Sequence, residues 1–237
     1  VDILVSVVFS GMSGSALADA AGPGLVTIRQ MLKKPEYSPG FAGAVVVASA
    51  TLGPMIPPSI PMVIYGLVSG ASVGALFLGG VLPGLLMTLL MMLTVHIIAT
   101  RRGMPRDEPV PRGEWWGIVW RGAAPLSLPV VLLGGIYSGV FTPTEAAAVA
   151  VVYALLVGML IYRELAWVAL PKIARESAIT TGAIMIILAA ATPFSWILTV
   201  EQVPLAAANL VNTYGATPAM AIGGIILLLL FVGLWMD

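Results

Sequence analysis

An all-α, multi-pass membrane protein is the fold class this sequence predicts, and three observations predict it. First, 59% of the 237 residues are hydrophobic and only 9% are charged, with a mean hydropathy of +1.02. A soluble domain carries about a quarter charged residues, so this chain cannot cover a globular surface with polar groups. Second, no Asp, Glu, Lys or Arg occurs in residues 37–100, 122–144, 146–162, 177–200 or 202–236, and a spanning helix needs about 20 residues. No amphipathic outer helices exist that could cover such runs in a soluble core. Third, period-2 alternation between short turns is absent, which argues against a barrel and leaves helices as the spanning element. A soluble enzyme, a nucleic-acid-binding module and a disordered tail are excluded. The net charge of zero gives no reason to expect a polyanionic partner, and the lack of cysteine removes disulfides and thiolate metal sites.

The first element is a short apolar arm, residues 3–9, followed by Phe9-Ser10-Gly11-Met12-Ser13-Gly14-Ser15-Ala16-Leu17-Ala18-Asp19 and a second arm, residues 16–32. A helical hairpin entering from the cytoplasm and turning at Ser13, Gly14 and Ser15 fits this pattern, because non-helical backbone at membrane depth is tolerated only beside protein or water. A continuous helix with a small-residue packing face is the alternative. Ser15 is placed to cap the second arm. Asp19 then falls at the end of the first turn, where the helix dipole favours a negative charge. Its other reading is as part of a cation or proton site, as membrane carboxylates often are.

The second element, residues 41–68, is one crossing interrupted at mid-depth. Within Ser49-Ala50-Thr51-Leu52-Gly53-Pro54-Met55-Ile56-Pro57-Pro58-Ser59-Ile60-Pro61, the four prolines preclude a continuous helix. They displace the carbonyls of Ala50, Gly53, Pro54 and Pro57. Freed carbonyls can ligate a hard cation such as sodium, and the start of the second half, near Ser59, can meet an anionic group. A proline kink satisfied by its neighbours is the competing reading.

The next crossings are residues 73–99, 122–138 and 145–161. Basic residues fall in three clusters: Arg29, Lys33 and Lys34; Arg101, Arg102, Arg106, Arg112 and Arg121; and Arg163, Lys172 and Arg175. Two crossings separate each cluster from the next, so all three share one side, cytoplasmic by the positive-inside rule. Residues 69–72, 139–144 and 201–217, with Ser72 and Tyr214, are expected outside. Residues 114–121, with Trp115, Trp116 and Trp120, and residues 164–176, with Trp167, read as interfacial anchors. Thr142-Pro143-Thr144-Glu145 opening an alanine-rich run reads as a helix start, with Pro143 or Thr144 at the entry and Glu145 complementing the dipole. His96, near a helix end, is assigned no role. No metal spacing, nucleophile elbow, phosphate loop or paired carboxylates occur, so no enzyme is expected. An intramembrane enzyme would need Asp19, Glu145, Glu201 or His96 in a shared motif, and they form none.

The chain opens on Val1-Asp2 inside an apolar stretch and closes on Leu234-Trp235-Met236-Asp237, also apolar. It reads as an internal piece of a longer protein.

Three stretches together, residues 9–19, residues 53–66 (GPMIPPSIPMVIYG) and residues 139–158 (GVFTPTEAAAVAVVYALLVG), resemble the large membrane subunit of TRAP transporters, the DctM-like family. The resemblance runs in order through essentially the whole chain. It implies an elevator-type transporter with inverted repeats, re-entrant helical hairpins and broken helices. It implies sodium-coupled import of an organic acid anion, such as a C4-dicarboxylate or sialic acid, across the bacterial inner membrane. The implied partners are a small membrane subunit and a periplasmic substrate-binding protein, besides the lipid bilayer. No cofactor other than the coupling ion is implied, and no nucleic acid.

The substrate and ion site is expected at Ser13, Gly14, Ser15, Ser49, Thr51, Gly53, Pro54, Pro57, Pro58 and Ser59, with sodium on backbone near Ser13, Ala50 and Gly53. On this reading residues 1–70 are the first-repeat transport part. Residues 71–124 are a spanning helix with an interfacial segment, and residues 125–200 are second-repeat scaffold helices. Residues 201–237 are an outer loop and the entering arm of a second hairpin. The second broken helix, and with it half of the site, is expected beyond this chain. A stand-alone divalent-anion or citrate sodium symporter of similar architecture is the alternative.

Overall fold

The computed structural model describes residues 2–105, 111–213 and 217–235; Val1, Arg106, Tyr214, Met236 and Asp237, named above, lie outside the described residues. Helices account for the regular structure, with no strand among the described residues. The chain divides into two units, Val1–Leu165 and Ala166–Asp237.

The first unit begins with the expected hairpin. Helix α1 (Asp2–Ser13) stops at Gly14, whose φ of 61° is a left-handed conformation that glycine adopts without steric penalty. The Gly14 N–H still closes on the Ser10 carbonyl at 3.0 Å. Ser15 then takes extended dihedrals and its Oγ accepts from Ala18 N at 3.4 Å, opening α2 (Ala16–Asp19) as an N-cap. The return arm continues through a π-helical turn, Ala20–Gly24, into α3 (Leu25–Met31). Pro23 lies inside that turn and supplies no N–H, which the wider turn accommodates.

Helix α4 (Pro39–Ala50) starts on the Ser38 cap and runs to the proline-rich stretch. Residues 51–59 are not helical, and α5 (Ile60–Ser69) resumes on the Ser59 cap. The crossing is therefore broken where the prolines lie, and both arms of the hairpin pack against its first half. Gly70, at a φ of 71°, ends α5, and Ser72 caps the long α6 (Val73–Arg101). In α6, Gly80 and Gly84 let the break come close. A Cβ on Gly80 would lie 2.8 Å from the Met55 carbonyl oxygen, and one on Gly84 would lie 3.0 Å from Ile56 Cγ1. The interior of this unit is small and tight: Ala42, Val46, Leu52, Phe77 and Ala146 are at most 2% exposed. In lipid such close backbone approach, with dispersion contacts, replaces the hydrophobic drive as the source of helix association.

Helices α7 (Trp115–Tyr137) and α8 (Pro143–Leu156) form an antiparallel pair. The Thr142–Glu145 start is a full capping box: Glu145 N donates to Thr142 Oγ1 at 3.3 Å, and Thr142 N donates to Glu145 Oε2 at 2.8 Å. Pro143 takes the first helical position, where its missing N–H costs nothing. The tryptophan-rich residues 115–121, expected as a separate anchor, are instead the first turns of α7. No proline or glycine pair interrupts the helix between Trp120 and the apolar run, so propagation simply continues.

The basic loops of this unit meet. Tyr37 Oη donates to the Pro105 carbonyl at 3.1 Å, and the Arg102 guanidinium lies 5.7 Å from the centre of the Phe41 ring. Tyr162 Oη donates to the Arg121 carbonyl. These contacts join the first basic cluster to the second and the second to the third, as a single-sided charge distribution requires.

The second unit holds α9 (Leu170–Val200), entered through a 3-10 turn at Trp167–Ala169, then α10 (Val203–Thr213) and α11 (Pro218–Trp235). Trp167 thus leads straight into a spanning helix. The segment expected as an outer loop, residues 201–217, contains helix α10. Four helices are long and apolar enough to cross a membrane among the described residues: Val73–Arg101, Trp115–Tyr137, Pro143–Ile161 and Trp167–Val200. Their largely exposed apolar faces are what a lipid solvent demands.

Candidate functional site

The hairpin tip and the helix break are in direct contact, and two glycines make that contact possible. A Cβ on Gly14 would lie 2.6 Å from the Pro58 carbonyl oxygen and 3.2 Å from Ser59 Cα. A Cβ on Gly53 would lie 2.9 Å from Asp19 Oδ2, 2.9 Å from Ser15 C and 3.0 Å from Ala16 N. Both are below any real side-chain contact, so each position accepts hydrogen alone. The junction is sealed by one backbone bond, from Ile60 N to the Gly14 carbonyl at 3.3 Å.

Beneath this junction lies Asp19, 1% exposed. Ser10 Oγ donates to its Oδ2 at 2.5 Å, and Ser13 Oγ donates to its Oδ1. Ser10 is itself fully buried. Both donors sit on α1 and the acceptor on the return arm, so the carboxylate ties the two arms together while Oδ2 faces Gly53 of the break. Asp19 belongs to the junction; the sequence left it between a dipole partner and part of a cation or proton site, and outside the ten nominated residues. Its position in the first turn of a capped helix pointed to the dipole. The decisive signal was the Ser10-x-x-Ser13 spacing on the opposite arm, legible only once Gly14 is known to reverse the chain.

The four displaced carbonyls separate into two pairs. That of Ala50 accepts from Gly53 N at 3.0 Å, and that of Pro54 accepts from Ser59 Oγ at 2.5 Å. Those of Gly53 and Pro57 accept no hydrogen bond among the described residues. The helix starts also differ. At α5 the first donors are taken: Ile60 N by Gly14, Met62 N by Ser59 Oγ at 3.4 Å and Val63 N by the Ser59 carbonyl at 3.1 Å, while Pro61 has no N–H. At α2 the N–H groups of Ala16 and Leu17 donate no hydrogen bond among the described residues. The open helix start therefore belongs to the hairpin rather than to the second half of the broken helix.

Of the nominated residues, the structure gathers Ser13, Gly14, Ser15, Gly53, Pro54, Pro57, Pro58 and Ser59 at the junction, with a cis bond between Pro57 and Pro58. Ser49 and Thr51 stand apart. Ser49 Oγ donates to Asp2 Oδ2 at 3.0 Å and accepts from Ser6 Oγ at 2.9 Å, turned toward α1 and away from the break. Thr51 is exposed and donates to the Ala48 carbonyl at 2.7 Å. A cavity of about 300 Å³ opens beside the junction, bounded by Ser13 and Ser59 on one side and by apolar Val63, Phe77, Leu132 and Ala147 elsewhere. Among the described residues no three His, Asp or Glu side chains gather as a metal cluster, so a cation here would rest on the Asp19 carboxylate and backbone oxygens.

A hairpin tip seated on a proline-broken helix is the arrangement that residues 9–19 and 53–66 suggested, and the family model for the DctM component of tripartite ATP-independent periplasmic transporters matches residues 1–237. The chain belongs to the DctM family. Across all 237 residues it is 41% identical to the sialic acid TRAP transporter large permease protein SiaM of Vibrio cholerae, covering 55% of that protein. Over 235 residues it is 39% identical to the C4-dicarboxylate TRAP transporter large permease protein DctM of Pseudomonas aeruginosa, again covering 55%. Over 237 residues it is 35% identical to the 2,3-diketo-L-gulonate TRAP transporter large permease protein YiaN of Escherichia coli. The chain spans about half the length of these curated relatives. DctM-family membership groups this chain with transporter permeases rather than with enzymes. Together with the four membrane-length helices, it places the chain in the bacterial inner membrane.

Proposed function

We propose that the chain is part of the large membrane subunit of a secondary transporter that imports an organic acid anion with sodium. The observation that carries this reading is the junction itself. A buried carboxylate, Asp19, adjoins the break, where among the described residues the carbonyls of Gly53 and Pro57 accept no hydrogen bond and the N–H groups of Ala16 and Leu17, which open the neighbouring helix, donate none. Carboxylate and carbonyl oxygens suit a hard cation, and a helix start suits a carboxylate ligand. The relatives named for sialic acid, C4-dicarboxylate and 2,3-diketo-L-gulonate support an organic acid as the substrate class.

The small membrane subunit and a periplasmic binding protein complete the transporter on this reading, and the hairpin with its broken helix moves as the transport body of an elevator. The test is uptake into vesicles holding the complete large and small subunits, with an imposed sodium gradient. Substrate accumulates only when binding protein and an inward sodium gradient are both present. Accumulation without binding protein would instead indicate a stand-alone symporter, and accumulation without sodium would overturn the ion site.

A further inference from the structure

We infer that Ser10 is a positioning residue of the ion site: its hydroxyl fixes the Asp19 carboxylate oxygen that faces the break, and so sets a preference for sodium over lithium. The inference rests on the sodium site proposed above and concerns which alkali cation that site accepts.

Ser10 is fully buried on α1 and does not line the cavity beside the junction, which Ser13 and Ser59 border. Both of its polar ends are committed to the hairpin. Its carbonyl accepts the Gly14 N–H at 3.0 Å, where the chain reverses, and its hydroxyl donates to Asp19 Oδ2 at 2.5 Å. Oδ2 is also the oxygen against the break, since a Cβ on Gly53 would lie 2.9 Å from it. Ser13 holds the other oxygen, Oδ1, from a half-buried position. One hydroxyl on each oxygen, both from the same helix, fixes the plane of the carboxylate. The next residue, Gly11, brings that helix to the break. A Cβ there would lie 3.9 Å from the Pro57 carbonyl oxygen, which accepts no hydrogen bond among the described residues.

Charge density decides what such an arrangement suits. An ionised carboxylate offers about four lone-pair sites on its two oxygens. The two serine hydroxyls take one on each oxygen and draw charge toward their protons, and among the described residues no Lys, Arg or His pairs with Asp19. What remains is a carboxylate of reduced field, held in place beside the break. Lithium is smaller than sodium and holds its water more tightly, so it needs ligands that close in with a stronger field. The larger ion is served by oxygens that stay where they are. Without the Ser10 hydroxyl, Oδ2 regains a lone pair and its freedom to move. Sodium then loses a prepared ligand, and lithium gains relative to it.

The test is thermal stabilisation of the complete large and small subunits in detergent, titrated with sodium or lithium chloride while choline chloride holds the ionic strength constant. The unaltered protein reaches half-saturation at a lower concentration of sodium than of lithium. In Ser10→Ala the sodium midpoint rises about tenfold, the lower end of what losing a hydrogen bond to an ion ligand costs. The lithium midpoint moves less, so the preference shrinks. Ser6→Ala, one turn earlier on α1, removes the hydroxyl that reaches Ser49. It lowers the unfolding temperature and leaves the preference intact, as a merely structural serine does. Should Ser10→Ala fail to insert, Ser10→Cys keeps the size with a weaker donor and shifts the preference the same way. If the Ser10 variants keep the full preference while Asp19→Asn weakens sodium, this inference alone is overturned. An equal loss of preference in Ser6→Ala, or no preference in the unaltered protein, would also overturn it. Sodium stabilisation that survives Asp19→Asn unchanged would remove the proposed ion site and this inference with it.

Discussion

The hairpin carries two buried aspartates, each attended by two serines, and they do different things. Asp19, on the return arm, is held by Ser10 and Ser13 across the hairpin and has its other side against Gly53 of the break. Asp2, at the start of the entering arm, is 6% exposed and receives Ser49 Oγ, which in turn receives Ser6 Oγ. The ligand types are alike, but the surroundings are not. Around Asp19 lie freed carbonyls and open N–H groups. Around Asp2 lie the hydroxyls of Ser49 and Ser6, and the residues of the break do not touch it. A buried carboxylate with hydroxyl donors is thus insufficient to define a site; what distinguishes the tip is unfinished backbone chemistry within reach. Asp2, Ser6 and Ser49 instead clip α1 to α4.

The largest effects are expected where the tip meets the break. Gly14→Ala puts a Cβ 2.6 Å from the Pro58 oxygen at a φ of 61°. Left-handed strain and overpacking together cost about 2–4 kcal/mol. Thermal unfolding in detergent should drop accordingly and uptake should vanish; a stable, active variant would show that the junction opens freely. Next comes Asp19→Asn, which keeps the shape but removes the charge. It should lower apparent sodium affinity by about 10–100-fold, the usual consequence of losing an ion-site partner, with insertion intact. Unchanged sodium dependence would make Asp19 equivalent to Asp2 and dissolve the distinction. Asp2→Asn or Ser49→Ala should cost about 1–2 kcal/mol of stability while sodium affinity stays near normal; a large affinity loss would reveal a second ion site. Smallest is Thr51→Ala, expected to remain within about 0.5 kcal/mol, because its hydroxyl serves only its own helix end.

Local chemistry made the breaks legible. Four prolines can only interrupt a helix, Ser15 and Ser59 are strong caps, and Thr142-Pro143-Thr144-Glu145 carries a complete capping box in its own residues. The charge pattern likewise fixed which loops share a side, and the contacts between Tyr37 and Pro105 and between Tyr162 and Arg121 agree. What escaped the sequence depends on the path of the chain between distant residues. Ser49 lies beside the break in sequence, yet one helical turn rotates it toward Asp2. Asp19 looked like a dipole partner because its hydroxyl donors arrive from the other arm. The α5 start looked open to an anion, but the tip reaches it first and occupies Ile60 N. Helix α10 was missed because the outer stretch was read by the absence of basic residues, which says nothing about its backbone.

Gly80 and Gly84 bring α6 against Met55 and Ile56 so closely that no methyl group fits between them at Gly80. Surfaces fitted at this range do not slide without first separating, so α6 moves with the break. From Gly80 to Arg102 it spans about 33 Å at 1.5 Å per residue, ending where Arg102 rests over Phe41. On the proposed reading, a displacement of the junction would be passed along α6 to the surface of the basic loops, where a fluorescent or spin label near Arg102 would register it.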